Sequence, residues 1–335
     1  MNMKSPISGK EMSLLTRKET ITFRKESFEV VYHYFRDQEN DLEFTSTGLD
    51  EMNLNQVHNQ YREKHRLPFP YEIKSIREQY ELPANKMAEV LGFGVNSYRN
   101  YEMGEVPNES NARLIQLAKD PEDFRKLLEK SDAIAGKEHQ KVAELVEQLI
   151  TGKHRNKNPD HVRDLSLPTE SNRYNGYKVF DTEKFLQMVV YFANCCHPVK
   201  TKLNKLLFYA DFHHYRQTCR SISGITYIAI QHGPVPKRYE TLFEMAEFNQ
   251  LVTVEHIATN QGKEMNIFHP AKNVTFKKHL FSETETESLD NIANKLGGKS
   301  MTKLVELSHQ EKAWLQNVDN YAAIDYTLGF DLMNI

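Results

Sequence analysis

One stretch limits what this 335-residue chain can fold into more than any other. Residues 82–104 read LPANKMAEVLGFGVNSYRNYEMG, the pattern of two short helices joined by a tight turn. Met87, Ala88 and Leu91 recur at the spacing that places apolar side chains on one inward helix face. Gly92, Phe93 and Gly94 supply the turn, because glycine reaches positive φ without a Cβ clash. A second helix is expected from near Val95 to Gly104, a residue suited to the left-handed position after a helix end. On it Val95, Tyr98 and Tyr101 are expected to pack inward, with Asn96, Ser97, Arg99 and Asn100 facing out. This is a helix-turn-helix pattern, in which the second helix enters the major groove with its N-terminal side chains on base edges. Asn pairs bidentately with adenine and Arg with guanine. The expected DNA-binding set is therefore Asn96, Ser97, Arg99 and Asn100, with Lys86 on the preceding helix. A solvated pair of amphipathic helices is the competing reading; the glycine turn, helix lengths and polar N-terminus favour DNA.

The run Gly92-Phe93-Gly94-Val95-Asn96, followed by Tyr101-Glu102 and Gly104, resembles the helix-turn-helix of the MqsA-like antitoxins within the Xre/Cro repressor class. The resemblance implies that Asn96 reads a base. The family's arginine four residues later is replaced by Asn100, with Arg99 one position earlier, and Ala84 stands where many Xre proteins carry glutamine. The operator sequence therefore does not carry over. One recognition helix covers too few bases, so a homodimer on an inverted repeat of operator DNA is expected.

A net charge of −3 means that any nucleic-acid contact must come from a local patch. Arg62, Lys64, Arg66, Lys74 and Arg77 outnumber Glu63 and Glu72 beside the motif and form a candidate phosphate-contact surface. The start, MNMKSPISGKEM, has no apolar signal region, and no run of about 18 apolar residues occurs, so a cytoplasmic protein without membrane contact is expected. Cys195, Cys196 and Cys219 give no disulfide framework.

The chain is expected to divide at 1–48, 49–150, 151–175 and 176–335. In the first segment, 20–23, 28–35 and 43–45 alternate as antiparallel strands, held by Phe23, Phe28, Val30, Tyr32 and Phe44. Here the MqsA resemblance implies a zinc ribbon whose cysteines are lost: Ser5 and Ser8 stand at the first pair, and no cysteine follows the strands. Serine is a poor zinc ligand beside thiolate, so a metal-free β module is expected. His33 reads as a surface or packing residue. Residues 49–150 form the helical DNA-binding unit. Helices are expected over 50–65 and 71–80, then 110–118 capped by Ser110, 121–130 behind Asp120-Pro121, and 137–150. The linker contains Lys153, His154, Arg155, Lys157, Pro159 and Pro168, and its basic residues read as solvation.

In the last segment Asp181 or Thr182 caps a helix with Phe185, Met188, Val189 and Phe192 on one stripe. Residues 200–215 form the most hydrophobic helix, expected at the centre of the domain. A strand over 223–230 should turn sharply at Gly233-Pro234-Val235-Pro236 into a helix over 238–247, with 251–254 able to pair with the strand. Helices headed by Ser282 and spanning 304–314 follow. The phrases TKLNKLLFYA (201–210), GPVP (233–236) and LVELSH (304–309) together resemble a Panacea, or SocA-like, domain over roughly 180–330. The resemblance implies direct neutralisation of a cognate toxin protein encoded beside it. Candidate partner-binding residues are Tyr209, His213, Tyr215, Arg216, Lys237, Arg238 and Tyr239.

Cys195, Cys196, His197, His213, His214 and Cys219 fit no zinc spacing, and the Cys195-Cys196 pair reads as small buried hydrophobes. No nucleotide-binding, hydrolase or metalloprotease motif occurs, so neither catalysis nor a cofactor is expected. The expected fold class is α+β, mainly α-helical. An adaptor to a protease, or a phage or bacterial transcriptional regulator without a toxin, is the alternative function.

Overall fold

The computed structural model describes residues 3–155, 169–258 and 264–335. The architecture is α+β and mainly helical. The middle of the expected linker, with Lys157, Pro159 and Pro168, lies outside the described residues. Two compact units form: Met1–Glu19, Glu29–Asn53 and Ser166–Ile335 make the first, Thr20–Phe28 and Leu54–Leu165 the second. This division crosses the boundary expected at 48, because the first segment contributes residues to both units.

The first segment is a four-stranded sheet in the order β1-β2-β3-β4, built from β1 (Met3–Lys4), β2 (Glu11–Phe23), β3 (Glu26–Asp37) and β4 (Leu42–Phe44). β2 starts well before the expected strand, since Thr16, Arg17 and Lys18 are all exposed and hide its alternation. Arg17 lies over the rings of Tyr32 and Tyr34 and binds Glu19 and Glu43. Phe28 and Val30 are buried as expected, while Phe23, Tyr32 and Phe44 are half-buried.

At the base of the sheet, serine and aspartate build a hydrogen-bonded knot. The Ser5 hydroxyl accepts from the Ile7 and Ser8 amides at 3.1 Å each. Ser8 donates to Asp37 at 2.8 Å, and Asp37 also accepts from the Glu39 amide and the Asn40 side chain. The Ser5 and Ser8 hydroxyls, with the Glu39 N–H, hold the Asp37 carboxyl well below the usual carboxylate range. In the same unit His33 and Asn53 exchange two bonds, at 2.9 and 3.0 Å, and the His33 ring packs on Phe330.

The second unit gathers α1 (Thr47–His65) from Leu54 onward, α2 (Pro70–Glu78), α3 (Ala84–Val90), α4 (Ser97–Glu102), α5 (Glu109–Leu117), α6 (Pro121–Glu129) and α7 (Gly136–Arg155). Its core joins Ile73, Ile76, Met87, Ala88, Tyr98, Phe124 and Val146. Tyr80 stacks on Phe124 with centroids 3.7 Å apart and donates to the Ala118 carbonyl. The tip of the β2–β3 hairpin packs here: Phe23 meets Tyr61 edge-on, and Arg24 donates to the Val106 and Pro107 carbonyls. Asn108, not Ser110, caps α5, because the helix starts one residue earlier than expected. Asp120 caps α6 with Pro121 at its first position. Helix α7 continues to Arg155, so the start of the expected linker is helical.

In the C-terminal half, α8 (Thr182–Cys196) is capped by Asp181 and buries Phe185, Met188, Val189 and Phe192. Helix α9 (Lys200–Thr218) is buried continuously from Leu203 to Tyr215. Around it pack α8, α11 (Glu283–Leu296), α12 (Met301–Gln310) and the 3-10 turn Tyr326–Asp331. The GPVP run is strand β6 (Gly233–Pro236), paired antiparallel with β5 (Tyr227–Ile230), where a sharp turn was expected. Both prolines fit there because β6 is an edge strand. Helix α10 (Tyr239–Phe248) follows. β7 (Val252–Ala258) pairs with β8 (Glu264–Pro270), not with β5. Ser282 and Glu285 form the capping box of α11, and the short α13 (Lys312–Leu315) follows α12. No helix among the described residues is long and apolar enough to cross a membrane.

The knot makes a pH-dependent prediction. The folded pKa of Asp37 lies below its unfolded value of about 3.9, so its stabilisation is present above about pH 4 and disappears as pH falls through the folded value. Asp37→Ala should therefore lower the thermal midpoint at neutral pH, and the two melting curves should converge in strong acid. A gap that stays constant across the acid range would show that the carboxylate does not hold the knot.

Candidate functional site

Helices α3 and α4 stand together because the turn between them closes on glycine. Gly92 takes φ +73, and the Phe93 amide donates to the Ala88 carbonyl at 2.8 Å. Phe93, not Val95, packs against the core, its ring set edge-on to Tyr101. The helix starts only at Ser97, which leaves Val95 52% exposed. Tyr98 and Tyr101 are buried anchors: the Tyr98 hydroxyl donates to the Ile73 carbonyl at 2.8 Å, and the Tyr101 hydroxyl accepts from Asn111. Asn96, Arg99 and Asn100 are exposed and Ser97 is half-buried, so the outward row lies where the sequence predicts it. Lys86 does not join that row, because its ammonium pairs with Glu89 and donates to the Ala133 carbonyl, both at 3.0 Å.

The adjoining basic cluster is committed to the fold in part: Arg62 and Arg77 are, while Lys64, Arg66 and Lys74 are exposed. Arg62 is buried, lies over the Phe69 ring and donates to the Gly104 carbonyl at 2.6 Å. Burial, with Arg24 nearby, pulls its pKa down to about 10. Arg77 grips Glu102 through Nε at 2.6 Å, Lys64 pairs with Glu26, and Lys74 lies 3.7 Å from Glu78. Arg66 is exposed.

Of the seven partner-binding candidates, three belong to the core. Tyr209 is wholly buried and donates to Glu311 at 3.2 Å. Tyr215 lies among Tyr177, Tyr326 and Phe330. His213 is 7% exposed, and burial holds its pKa down at about 4. Helix α9 is buried from Leu203 to Tyr215, so Tyr209, His213 and Tyr215 lie inside the domain. Arg216 is half-buried and donates to the Leu332 and Ile335 carbonyls at 3.3 Å. Lys237, Arg238 and Tyr239, at the corner between β6 and α10, do reach the surface. Arg238 caps α10 in the left-handed conformation, φ +62. From it Thr241, Met245 and Phe248 run along one outer helix face. Phe248 is 86% exposed and was missed by sequence reasoning. Its signal was its place outside the inward stripe of Leu242, Phe243 and Ala246.

Behind that corner lies a buried amine. Lys205 is 1% exposed and donates to the Pro234 carbonyl at 2.9 Å, and burial pushes its pKa down to about 7. Gly233 takes φ +96, and a Cβ there would stand 2.4 Å from Ser308 Oγ and 2.7 Å from Lys205 Cε. At the end of α8, Cys195 is exposed and Cys196 half-buried, with their sulfurs 3.2 Å apart, so the pair is not the buried hydrophobe expected of it; Cys219 is buried.

Residues 203–315 match the family model of the antitoxin SocA-like, Panacea domain. The match takes in α9, the Lys205–Gly233–Ser308 contact and the Arg238–Phe248 face. No curated protein matches the sequence.

Gly233→Ala places a side chain in backbone that L residues rarely adopt, against Ser308 and Lys205. It should cost at least about 1–3 kcal/mol from backbone strain. Urea unfolding of the full chain checks this, and an unchanged midpoint would mean that the contact yields freely.

Proposed function

We propose that this chain is the antitoxin of a type II toxin-antitoxin system. The domain spanning the 203–315 match binds a toxin protein directly, and the family match carries this reading. The outer face from Arg238 to Phe248 is the docking surface, since aromatic and arginine side chains are the commonest anchors of protein interfaces. The chain acts by binding and not by catalysis. Consistent with that, two buried titratable groups on α9 are occupied within the fold: the Asp211 carboxylate by backbone and hydroxyl donors, and one ring nitrogen of His214 by the Arg220 carbonyl.

The test is co-expression of the full chain with the product of the adjacent reading frame. The full chain is needed because Met1–Glu19 and Glu29–Asn53 belong to the same compact unit as the C-terminal half. Wild type should restore growth. Phe248→Asp, at a side chain left 86% exposed, should weaken binding by about 2 kcal/mol, roughly 30-fold. Failure of the wild type to rescue would remove the antitoxin reading; full rescue by the variant would move the interface elsewhere.

The second half of the proposal is autorepression. Helix α4 reads operator DNA through Asn96, Arg99 and Asn100, as a homodimer on an inverted repeat. The support is geometric: Tyr98 and Tyr101 anchor the helix from within while the polar row stays exposed. Asn96→Ala should lose about 1–3 kcal/mol of discrimination between operator and random DNA in gel-shift titrations. Equal discrimination by wild type and variant would rule out base reading by this residue.

A further inference from the structure

The end of α8 and the β7–β8 hairpin bring two imidazoles together, their rings tilted by 41°. His197 is the left-handed cap of α8, with φ +41. The chain just beyond it is fastened to β8: the Phe268 amide donates to the Pro198 carbonyl at 2.9 Å, and Val199 bridges Ile267. These contacts set His197 beside His269, with the two Nδ1 atoms 3.2 Å apart. On its other side, His269 Nε2 lies 3.0 Å from Glu255 Oε2 on the neighbouring strand. A carboxylate at Nε2 keeps the ring proton there, so the Nδ1 lone pair points toward His197.

We propose that His197 and His269 form a binding site for a divalent transition-metal ion, with Glu255 as the orienting partner of His269. Two nitrogens 3.2 Å apart, each about 2.0–2.1 Å from one ion, subtend roughly 100° at that ion, close to a tetrahedral angle. Imidazole donors select zinc, nickel or copper over magnesium and calcium. Among the described residues no group of three or more His, Cys, Asp or Glu is arranged to hold a metal. Water therefore completes the coordination shell. The site opens to solvent, since His197 is exposed and the His269 side chain is 35% exposed. A bound ion would join the end of α8 to the hairpin. The adjacent Cys195 and Cys196 sulfurs are a rival donor pair, and the experiment separates the two.

Isothermal titration of chelator-treated full-length protein with zinc chloride alone provides the test. Wild type should bind one ion saturably and gain a higher melting midpoint. His269→Ala should abolish both effects, as should His197→Asn, which tolerates the left-handed cap. Glu255→Gln should weaken binding about 10-fold. The double variant Cys195→Ser, Cys196→Ser should bind as wild type does. Melting without metal, equal to that of wild type, establishes that each variant is folded. No saturable binding by wild type, binding that survives His269→Ala, or binding lost only in the cysteine double variant would each overturn the proposal. The first of these outcomes would leave the histidines as a simple hydrogen-bonded pair.

Discussion

A carboxylate shut away from solvent organises the C-terminal half. Asp211 lies on the buried face of α9 and accepts four hydrogen bonds: from the Ile222 and Ser223 amides, the Ser223 hydroxyl and the Tyr227 hydroxyl, at 2.6–2.9 Å. Burial pushes its pKa up while those donors pull it down. A fully satisfied polar network of this kind rigidifies a core, whereas loss of a single member leaves an unpaired buried group. Its consequences reach well beyond the bond itself. The loop from Ile222 to Ser223 is held against α9, Gly224 passes so close to Val179 that a Cβ would stand 2.5 Å from its carbonyl oxygen, and the Tyr227 ring of β5 is set edge-on to Phe208 and Phe212. Tyr326 closes the arrangement, stacked on Phe212 and donating to the Ile225 carbonyl at 2.8 Å.

Glu285 plays a comparable part at the next helix. It completes the capping box of α11 and pairs with Lys184 at 2.6 Å and Lys178 at 3.5 Å. Burial alone would raise its pKa, yet the two ammonium groups hold it at about 2. Breaking such a buried pair leaves an uncompensated charge, which costs far more than the intact pair contributes. Polar groups of this domain are thus placed to specify one packing. Arg238 and Phe248 stay exposed outside that packing.

How much of this was legible depends on which physical signal a residue carries. Caps were readable, because Asp120, Asp181 and Ser282 each precede a helical pattern and accept from its first amides. The burial of α9 is readable from its apolar content; because it runs unbroken from Leu203 to Tyr215, Tyr209, His213 and Tyr215 have no outer face to occupy. Strand pairing was less legible. GPVP carries turn residues, and only the β5 register, Ala229 against Pro234, makes a strand of it. On α4, Tyr98 and Tyr101 were placed inward correctly, while Val95 was not, because Phe93 in the turn fills the space first. In the basic cluster sequence shows charge but not its partner: Arg77 pairs with Glu102 and Arg62 donates to the Gly104 carbonyl, while Lys64, Arg66 and Lys74 stay exposed.

The N-terminal sheet shows what a hydrogen-bonded knot must be given in order to persist. Ser5, Ser8 and Asp37 tie two turns through bonds worth about 1 kcal/mol each in net terms, far weaker than a structural zinc site. A small sheet held only in this way has too little core of its own. Its base belongs instead to the C-terminal unit, where Phe35 is buried, His33 packs on Phe330 and Cys219 donates to the Met52 carbonyl. The weak knot and the shared core are two sides of one physical requirement. Residues on both sides of position 48 therefore share one compact unit.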